Sequence, residues 1–394
     1  MALRPLDGIT VLALEHAVAA PLCTRHLADL GARVIKVERL GSGDFSRGYD
    51  QRAKGMSSYF VWVNRSKESL TLNLKHPEAV AVLHKLVPRC DVLVQNLAPG
   101  AAARLGMSYE ALRERHPRLI VCDISGYGAD GPYRDKKAYD LMVQAESGLM
   151  AATGTPEAMA RAGISAADIG AGMYAYSSIM AAIILRSRSS EGSHIDVSMF
   201  EALAEWMGNP LYYSYDGQPP APRTGGAHPS VLPYGPTRVG DGQLVMLGVQ
   251  TQNEWRNFCV EVLRQPALEQ DRRFATNTLR NQHRSELDAI IAGCFDPLTR
   301  DEVEARLERA QLATARVNTA ADLWTHPQLL ARRQWAEIDT PNGPLTVLRP
   351  PGRNNRYSPR MDPIPAVGQH TDALLRELGY SDERIAELRA AQAV

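Results

Sequence analysis

The 394-residue chain is long enough for two or three compact units, each with its own core. Hydrophobic residues make up 44% and charged residues 22%, and the 44 lysine and arginine residues equal the 44 aspartate and glutamate residues in number. This neutral, globular composition excludes partners held mainly by long-range attraction, such as duplex nucleic acid or an anionic membrane.

The N-terminal segment predicts a β-α-β unit. Residues 9–14 form an apolar, strand-forming run, residues 21–30 have helical spacing, and residues 33–37 form a second strand. A right-handed crossover between such strands makes the sheet parallel, with helices on its faces. The first loop, which begins at His16, lacks the G-x-G-x-x-G pattern, so the sequence argues against a nicotinamide-dependent dehydrogenase.

The same alternation continues for another hundred residues. A polar, glycine-marked loop at 126–136 interrupts it, which is typical of surface loops that carry functional residues. The predicted elements are helices at 77–88 and 108–115, strands at 91–95 and 118–125, a largely apolar helix at 169–187 and a strand at 194–198.

The chain changes character near residue 215. A stretch rich in proline and glycine there predicts a linker or an ordered loop. Gly240-Asp241-Gly242 separates two apolar runs, as a hairpin turn does, and residues 252–320 predict short helices. Two helices are predicted at the C-terminus, the second capped by Ser381.

The cysteines and the N-terminal segment indicate the cellular compartment of the protein. The five cysteines are odd in number and widely separated, which predicts reduced thiols rather than a disulfide framework or a zinc site. The apolar run near the N-terminus is too short for a signal peptide or a membrane span. We therefore expect a cytoplasmic protein with no bound metal.

Four segments along the chain carry a resemblance to a known family: LGARVIKVERLGSGDFSRG (30–48), the stretch from DVLVQNLAPG to DISGYGADGPY (91–133), AADIGAGMYA (166–175) and VGQHTDALLRELGYSDERIAEL (367–388). They resemble the class III CoA-transferases, which include formyl-CoA transferase, carnitine CoA-transferase and, as a racemising relative, α-methylacyl-CoA racemase. Together they cover nearly the whole chain.

The resemblance implies an α/β fold. A large Rossmann-like domain is built from both chain ends, a small α+β domain lies between them, and two subunits interlock like rings in a homodimer. The implied boundaries are 1–200 for the N-terminal part of the large domain, 201–225 for a linker, 226–320 for the small domain, 321–340 for a second linker and 341–394 for the C-terminal part of the large domain.

Asp168 has two interpretations. From the residues alone it precedes a helix that starts at Ile169, so it is a natural N-cap, and Gly170 and Gly172 indicate only close helix packing. In the family, however, the matching aspartate is the nucleophile that attacks the acyl-CoA carbonyl. A carboxylate at a helix N-terminus is expected to stay ionised, and small neighbours leave room for a thioester. The resemblance thus implies a covalent aspartyl intermediate without ATP or metal.

The resemblance also implies the residues that bind CoA. Its pyrophosphate and 3′-phosphate require converging basic groups, although a lysine or arginine without the family match would be interpreted as a solvated surface charge. The cofactor-binding candidates are His16, Val18, Ala19, Arg39, Leu72, Lys75, Asn96, Leu97, Arg104 and Lys137.

Five further residues match positions that contact the acyl group or the acceptor: Tyr59, Tyr139, Gly225, Gly226 and His228. Half-buried structural tyrosines and a loop-structuring His228 are the alternatives. The racemases have a histidine where Tyr139 stands. A tyrosine with a pKa near its usual value of about 10 is a poor base at neutral pH, which disfavours racemisation. Asp140 is either an orienting group for Lys137 or the substrate, or a simple surface carboxylate.

The substrate expectation follows from the general resemblance. We expect CoA transfer from succinyl-CoA to a short dicarboxylic acid such as itaconate, citramalate or mesaconate. Arg47, Arg223 and His228 are the candidates for the distal carboxylate. The alternatives are an acyl-CoA racemase or isomerase of the same fold and a non-catalytic CoA-binding protein.

Overall fold

The computed structural model describes residues 3–394, which form two compact units. The larger unit contains the chain up to Leu149 together with Ala162–Gly208 and Pro327–Val394, and the smaller unit contains Met150–Arg161 and Asn209–His326. Residues 150–161 therefore belong to the smaller unit, although the sequence predicts them in the large domain. Arg223 holds them there, because its guanidinium donates to three backbone carbonyl oxygens, those of Ala151, Thr155 and Pro156. The two linkers stay predictions.

A six-stranded sheet forms the centre of the larger unit. Its strand order is β3-β2-β1-β4-β5-β6, and all neighbours are parallel. This confirms the predicted parallel α/β sheet. The order reverses between β1 and β4, where open α/β sheets bind ligands at the carboxyl ends of the strands. The strands are β1 (Thr10–Leu14), β2 (Arg33–Glu38), β3 (Lys67–Thr71), β4 (Val92–Gln95), β5 (Ile120–Ser125) and β6 (His194–Ser198).

The two units together contain 17 α-helices among residues 3–394. They are α1 (Ala19–Asp29), α2 (Ser58–Val63), α3 (Pro77–Leu86), α4 (Ala101–Arg104), α5 (Tyr109–Leu112), α6 (Asp140–Glu146), α7 (Leu149–Ala152), α8 (Ala166–Ser189), α9 (Met199–Trp206), α10 (Gly208–Tyr213), α11 (Gln252–Asn257), α12 (Asn277–Gln282), α13 (Arg284–Phe295), α14 (Arg300–Arg309), α15 (Pro327–Ala331), α16 (Thr371–Glu377) and α17 (Asp382–Ala390). Short 3-10 helices occur at Phe45–Gly48, Val87–Arg89, Tyr215–Gly217, Pro266–Gln270 and Asp322–Thr325, and a π-helical turn at Phe258–Val262.

The sheet separates two hydrophobic cores, because side chains alternate between the faces of each strand. On one face, strand residues such as Val11 and Val94 pack against α1, α8 and α9. On the other face, Leu12 and Leu93 pack in a cluster with α3, α16 and α17. The C-terminal helices are thus part of the larger unit, with Leu375 and Leu388 buried in its second core.

Among residues 3–394, α8 is the one helix long and apolar enough, by length and composition alone, to cross a membrane. In this fold it packs against α1 and α9, and Ala171, Ala175 and Ile179 are buried in the first core. One face of α8 is therefore buried in the larger unit, whereas Ile184 and Leu185 on the same helix are exposed.

The smaller unit is built around a three-stranded antiparallel sheet of β7 (Tyr234–Arg238), β8 (Leu244–Gly248) and β9 (Ala313–Arg316). Gly240-Asp241-Gly242 connects β7 and β8, which confirms the predicted hairpin; Gly242 has φ 81°, a value that glycine adopts without strain. Trp255, Phe258 and Phe295 are buried in its core. A separate hairpin, β10 (Trp335–Ile338) and β11 (Leu345–Leu348), belongs to the larger unit.

Candidate active site

The loops that follow β1 and β4 meet at the point where the strand order reverses. His16 comes two residues after β1, and Asn96 comes directly after β4. Asn96 Oδ1 accepts the backbone N–H of His16 at 3.0 Å and lies 3.0 Å from His16 Nδ1, and Asn96 Nδ2 donates to His16 O at 2.9 Å. These three contacts fix the two loops against each other, so two of the predicted CoA residues are brought together.

A cleft of about 730 Å³ opens beside these loops. Two exposed cations line it, Arg39 and Lys75, which suits a ligand that carries several phosphate groups. Its wall includes five of the ten predicted CoA residues: His16, Arg39, Leu72, Lys75 and Leu97.

The other predicted CoA residues stand apart from this wall. Of the residues that the structure describes, the cleft lining does not include Val18, Ala19, Arg104, Lys137 or Asn96, although Asn96 contacts His16. Arg104 ends α4, whose first residue, Ala101, does line the cleft. Arg104 and Lys137 are both exposed, and their part in CoA binding stays a prediction.

Asp168 lies within α8 and does not cap it. The helix begins at Ala166, three residues earlier than predicted, so Asp168 stands in the first turn. The backbone N–H groups of Ala167 and Asp168 donate hydrogen bonds to Asp140 Oδ1, at 2.8 and 3.3 Å. The N-cap interpretation of Asp168 is therefore wrong, since a different carboxylate performs that role.

The carboxylate of Asp168 accepts a hydrogen bond from the backbone N–H of Ala19, the first residue of α1. It is thus held at the N-termini of two helices, where partial positive charge favours an anion. A Cβ added to Gly172 would lie 2.6 Å from Ala19 O, so this glycine permits the close approach of α8 to α1. For Gly172, helix packing is the correct interpretation.

Two effects raise the pKa of Asp168 to about 7. The larger effect is burial: protein surrounds the carboxylate group, while other atoms of the half-buried residue stay exposed. The second effect is the negative charge of Asp140. The Ala19 N–H opposes both. The expectation that Asp168 stays fully ionised is therefore wrong, and near neutral pH a large fraction of it is protonated.

Asp140 is neither a surface carboxylate nor an orienting group for Lys137. Besides capping α8, it accepts from Gln144 Nε2 at 2.7 Å, and Gln144 is itself fully buried. Gln144 also accepts from Ala162 N, so the segment before α8 is fixed to α6. The position and charge of Asp140 are set by this network.

Tyr49 lies near Asp168 and near two other tyrosines. The pKa of Tyr49 is raised by burial and by Asp44, Asp168, Tyr139 and Tyr59, which places all four groups near it. The Tyr49 and Tyr59 rings pack edge to face with centroids 5.3 Å apart. Tyr49 therefore lies near both predicted tyrosines and near Asp168. Sequence reasoning missed Tyr49, although it directly follows the segment 30–48.

In the smaller unit, local contacts account for three predicted residues. Gly225 has φ 64° and donates to Gly154 O, and a Cβ on Gly226 would stand 2.9 Å from Pro236 Cγ. His228 Nδ1 accepts from two backbone N–H groups, and its ring stacks on Tyr234. These contacts fit the loop-structuring interpretation of His228. A lid or substrate role for the three residues stays a prediction.

The arginines proposed for a distal carboxylate are already engaged. Arg47 donates from Nε and Nη2 to Glu38 at 2.8 and 2.7 Å, donates to Pro365 O, and lies over the Phe60 ring. Arg223 is occupied by the three carbonyl oxygens described above. The hypothesis that these two residues bind the substrate finds no support in these contacts.

Among residues 3–394, no group of three or more histidine, cysteine, aspartate or glutamate side chains is placed to hold a metal ion. All five cysteines are free thiols.

The sequence profile of CoA-transferase family III matches residues 6–371. The chain belongs to this family. It is similar to the succinyl-CoA:glutarate CoA-transferase of Homo sapiens, 34% identical over 100% of this chain and 90% of that protein. It is also similar to the succinyl-CoA–D-citramalate CoA-transferase of Chloroflexus aurantiacus, 32% identical over 99% of this chain and 98% of that protein.

A solved structure has the same fold. The crystal structure of a CaiB/BaiF family protein from Brucella suis matches with a TM-score of 0.84 and 32% identity, over 95% of this chain and 99% of that one. The predictions of the family and of a CoA-transferase are thereby confirmed. Acyl-CoA and a carboxylic acid are the substrates that this family membership implies.

Proposed function

We propose that this CoA-transferase moves CoA from succinyl-CoA to a five-carbon dicarboxylic acid through a covalent intermediate on Asp168. The observation that carries the proposal is the position of the Asp168 carboxylate. It is not needed to cap α8, because Asp140 does so, and it is held by the N–H of Ala19 at the start of α1. A carboxylate that is not used to cap its own helix is available as a nucleophile.

The reaction begins when Asp168 attacks the thioester carbonyl of succinyl-CoA. The C–S bond breaks, CoA leaves as a thiolate, and a mixed anhydride forms between Asp168 and succinate. The thiolate then attacks the aspartyl carbonyl, which releases succinate and leaves CoA as a thioester on Asp168.

The acceptor completes the exchange. Its carboxylate attacks the aspartyl thioester and again releases the thiolate, which attacks the acceptor's acyl carbonyl. The new acyl-CoA leaves, and Asp168 is regenerated as a carboxylate. The N–H of Ala19 is placed to stabilise negative charge at the aspartyl oxygen in each step, as an oxyanion-hole donor does. The protein must also keep water away from the two intermediates.

The acceptor is inferred from relatives that use succinyl-CoA. Glutarate and citramalate, the acids in their names, are both five-carbon dicarboxylates. Itaconate and mesaconate, which we expected from the sequence, share this size and charge. We therefore propose the class of acid rather than one member of it, with a second carboxylate that the site must recognise.

A panel of acceptors tests the proposal. With succinyl-CoA as donor, glutarate, citramalate, itaconate and mesaconate are offered in turn, with the five-carbon monocarboxylate valerate as the matched control. Mass spectrometry should detect new acyl-CoA with at least one dicarboxylate at a kcat/KM about 100-fold above valerate, since an unpaired site group penalises an analogue that lacks its partner. Equal turnover of valerate and glutarate contradicts the dicarboxylate assignment.

We also propose the interlocked homodimer that the resemblance implies. Helix α10 supports it, because Leu211 and Tyr212 are 62% and 77% exposed in the single chain, an arrangement typical of a surface covered by a partner. Native mass spectrometry at micromolar concentration should show only dimers, since linked rings cannot separate without unfolding. A folded monomer under these conditions contradicts the proposal.

A further inference from the structure

Four ionic side chains are fully buried beneath the loop that carries His16. Lys36 Nζ donates to Asp44 Oδ2 at 2.8 Å and to Glu15 Oε1 at 3.3 Å. Lys67 Nζ donates to Glu15 Oε1 at 2.6 Å. Two positive and two negative charges balance, so the cluster is neutral. Because buried charges are costly unless every partner is in place, this cluster tolerates few arrangements of its members.

Asp44 connects this cluster to the His16 loop. Its second oxygen, Oδ1, accepts from Ala17 N at 3.2 Å and from Ser46 N at 2.9 Å. Ala17 has φ 61°, in the left-handed region that alanine disfavours. The hydrogen bond that the Ala17 N–H donates to Asp44 therefore supports a strained backbone conformation. Burial opposes the ionisation of Asp44, but Lys36 and the two N–H groups outweigh it and lower its pKa to about 2.

The strained residue stands between two parts of the site. On one side of Ala17, His16 lines the CoA cleft and bonds Asn96. On the other side, Ala19 donates to Asp168. A change at Ala17 thus moves both the cleft wall and the N–H on the nucleophile. The residue after Asp44 adds a second contact, since the Phe45 ring packs edge-on against His16 with centroids 4.9 Å apart.

We infer that Asp44 is a positioning residue that holds Ala17 in its left-handed conformation, and so sets both the CoA cleft at His16 and the Ala19 N–H on Asp168. Lys36 fixes Asp44 in this role. The inference rests on the proposed function of Asp168. The simpler role, in which Asp44 only caps the 3-10 helix Phe45–Gly48 through Ser46 N, affects stability but not the chemistry.

The test compares Asp44→Ala, Asp44→Asn, Ala17→Gly and the double variant Asp44→Ala/Ala17→Gly. Asn keeps an acceptor for Ala17 N, whereas Ala removes it. We expect Asp44→Ala to lower kcat about 100-fold and Asp44→Asn less, both with a smaller change in KM for succinyl-CoA. Glycine adopts φ 61° without strain, so adding Ala17→Gly to Asp44→Ala should restore kcat about tenfold.

A second readout reports on Asp168 directly. The rate of hydroxylamine-trapped adduct at Asp168 is measured against pH in single turnovers. The hydrogen bond from the Ala19 N–H lowers the pKa of Asp168. If Asp44→Ala breaks this bond, the pKa of Asp168 should rise, and the rising limb of the pH profile should move to higher pH. If Asp44 only caps the 3-10 helix, the rising limb of the pH profile should not move. The groups near Asp168 that can influence this pH profile are Asp140, Tyr49 and the Ala19 N–H.

Thr24→Val is the matched control. Thr24 Oγ1 donates to Glu15 Oε2 at 2.6 Å, so this variant disturbs the same buried cluster without touching Ala17. It should lower the thermal midpoint and leave the kinetics unchanged. The inference is overturned if Asp44→Ala behaves like Thr24→Val, or if Ala17→Gly gives no recovery in the double variant. Absence of any Asp168 adduct in the wild-type protein would instead reject the proposed function itself.

Discussion

Asp168→Asn is expected to lower the rate of CoA transfer by about four orders of magnitude, the scale seen when a catalytic residue is removed. The amide is not a nucleophile, so no anhydride can form. CoA should still bind with an affinity within about threefold of wild type, because Arg39, Lys75 and the other residues that line the cleft belong to other segments. Initial rates and isothermal titration of CoA measure the two effects separately.

The same variant should be more stable than wild type at high pH. The pKa of Asp168 is about 7 in the folded state and about 3.8 when unfolded, so ionisation in the folded state is unfavourable. This penalty is absent below pH 4, grows between pH 4 and pH 7, and is complete above pH 7. After allowance for its half-buried position, it is about 2 kcal/mol.

Asn carries no charge at any pH and escapes this penalty. The thermal midpoint of Asp168→Asn should therefore exceed that of wild type by several degrees at pH 8 and equal it at pH 4. Mapping of hydroxylamine-trapped peptides from the wild-type protein should place the adduct at Asp168. Near-normal turnover of the Asn variant, or an adduct on Asp140 instead, rejects Asp168 as the nucleophile.

Much of the fold could be predicted from the sequence because its central strands are buried on both faces. The strands β1, β2, β4 and β5 appear as apolar runs for this reason. The edge strand β3, Lys67–Thr71, was missed. Its first two residues are charged, and the buried Lys67 is paired with Glu15, which accepts its hydrogen bond across 52 residues of sequence. Such a pairing leaves no periodic signal.

The start of α8 was misplaced for a similar reason. Ser165 followed three residues later by Asp168 is a local N-terminus signal, but the Ser165 side chain makes no capping hydrogen bond. The cap comes from Asp140, which stands 27 residues before Ala167. A cap that arrives from a distant helix cannot be recognised from local sequence, so the local rule assigned the role to Asp168.

The candidate site was predicted in part. Five of the ten residues predicted to bind CoA line one cleft, and their role in binding stays a prediction. The two arginines predicted to bind a distal carboxylate of the substrate were selected by their charge alone. The sequence does not reveal that Arg47 already pairs with Glu38 in the folded chain. Tyr49 was missed because an isolated tyrosine has no signal of its own. Its neighbours, Tyr59 and Tyr139, approach it only in the folded chain.

Asp140→Asn is expected to move the pH dependence of kcat/KM to lower pH. In wild type the rising limb should lie near pH 7, because the carboxylate form of Asp168 is the nucleophile. Asn keeps an oxygen acceptor for Ala167 N and Asp168 N but removes the negative charge that raises the pKa of Asp168. If that pKa falls by about one unit, the ionised fraction at pH 6 rises about fivefold. The variant should then be faster than wild type at pH 6 and similar at pH 8.

The limb should not return to the ordinary aspartate value near 3.8, because burial, the larger cause of the shift, remains. The change will also lower stability, since an amide nitrogen can meet Gln144 Nε2 donor to donor. Gln144→Leu is the matched control, because it breaks this contact without changing any charge. It should lower the thermal midpoint and leave the limb near pH 7. If Asp140→Asn and Gln144→Leu give the same limb, the charge of Asp140 does not control Asp168, and burial alone sets its pKa.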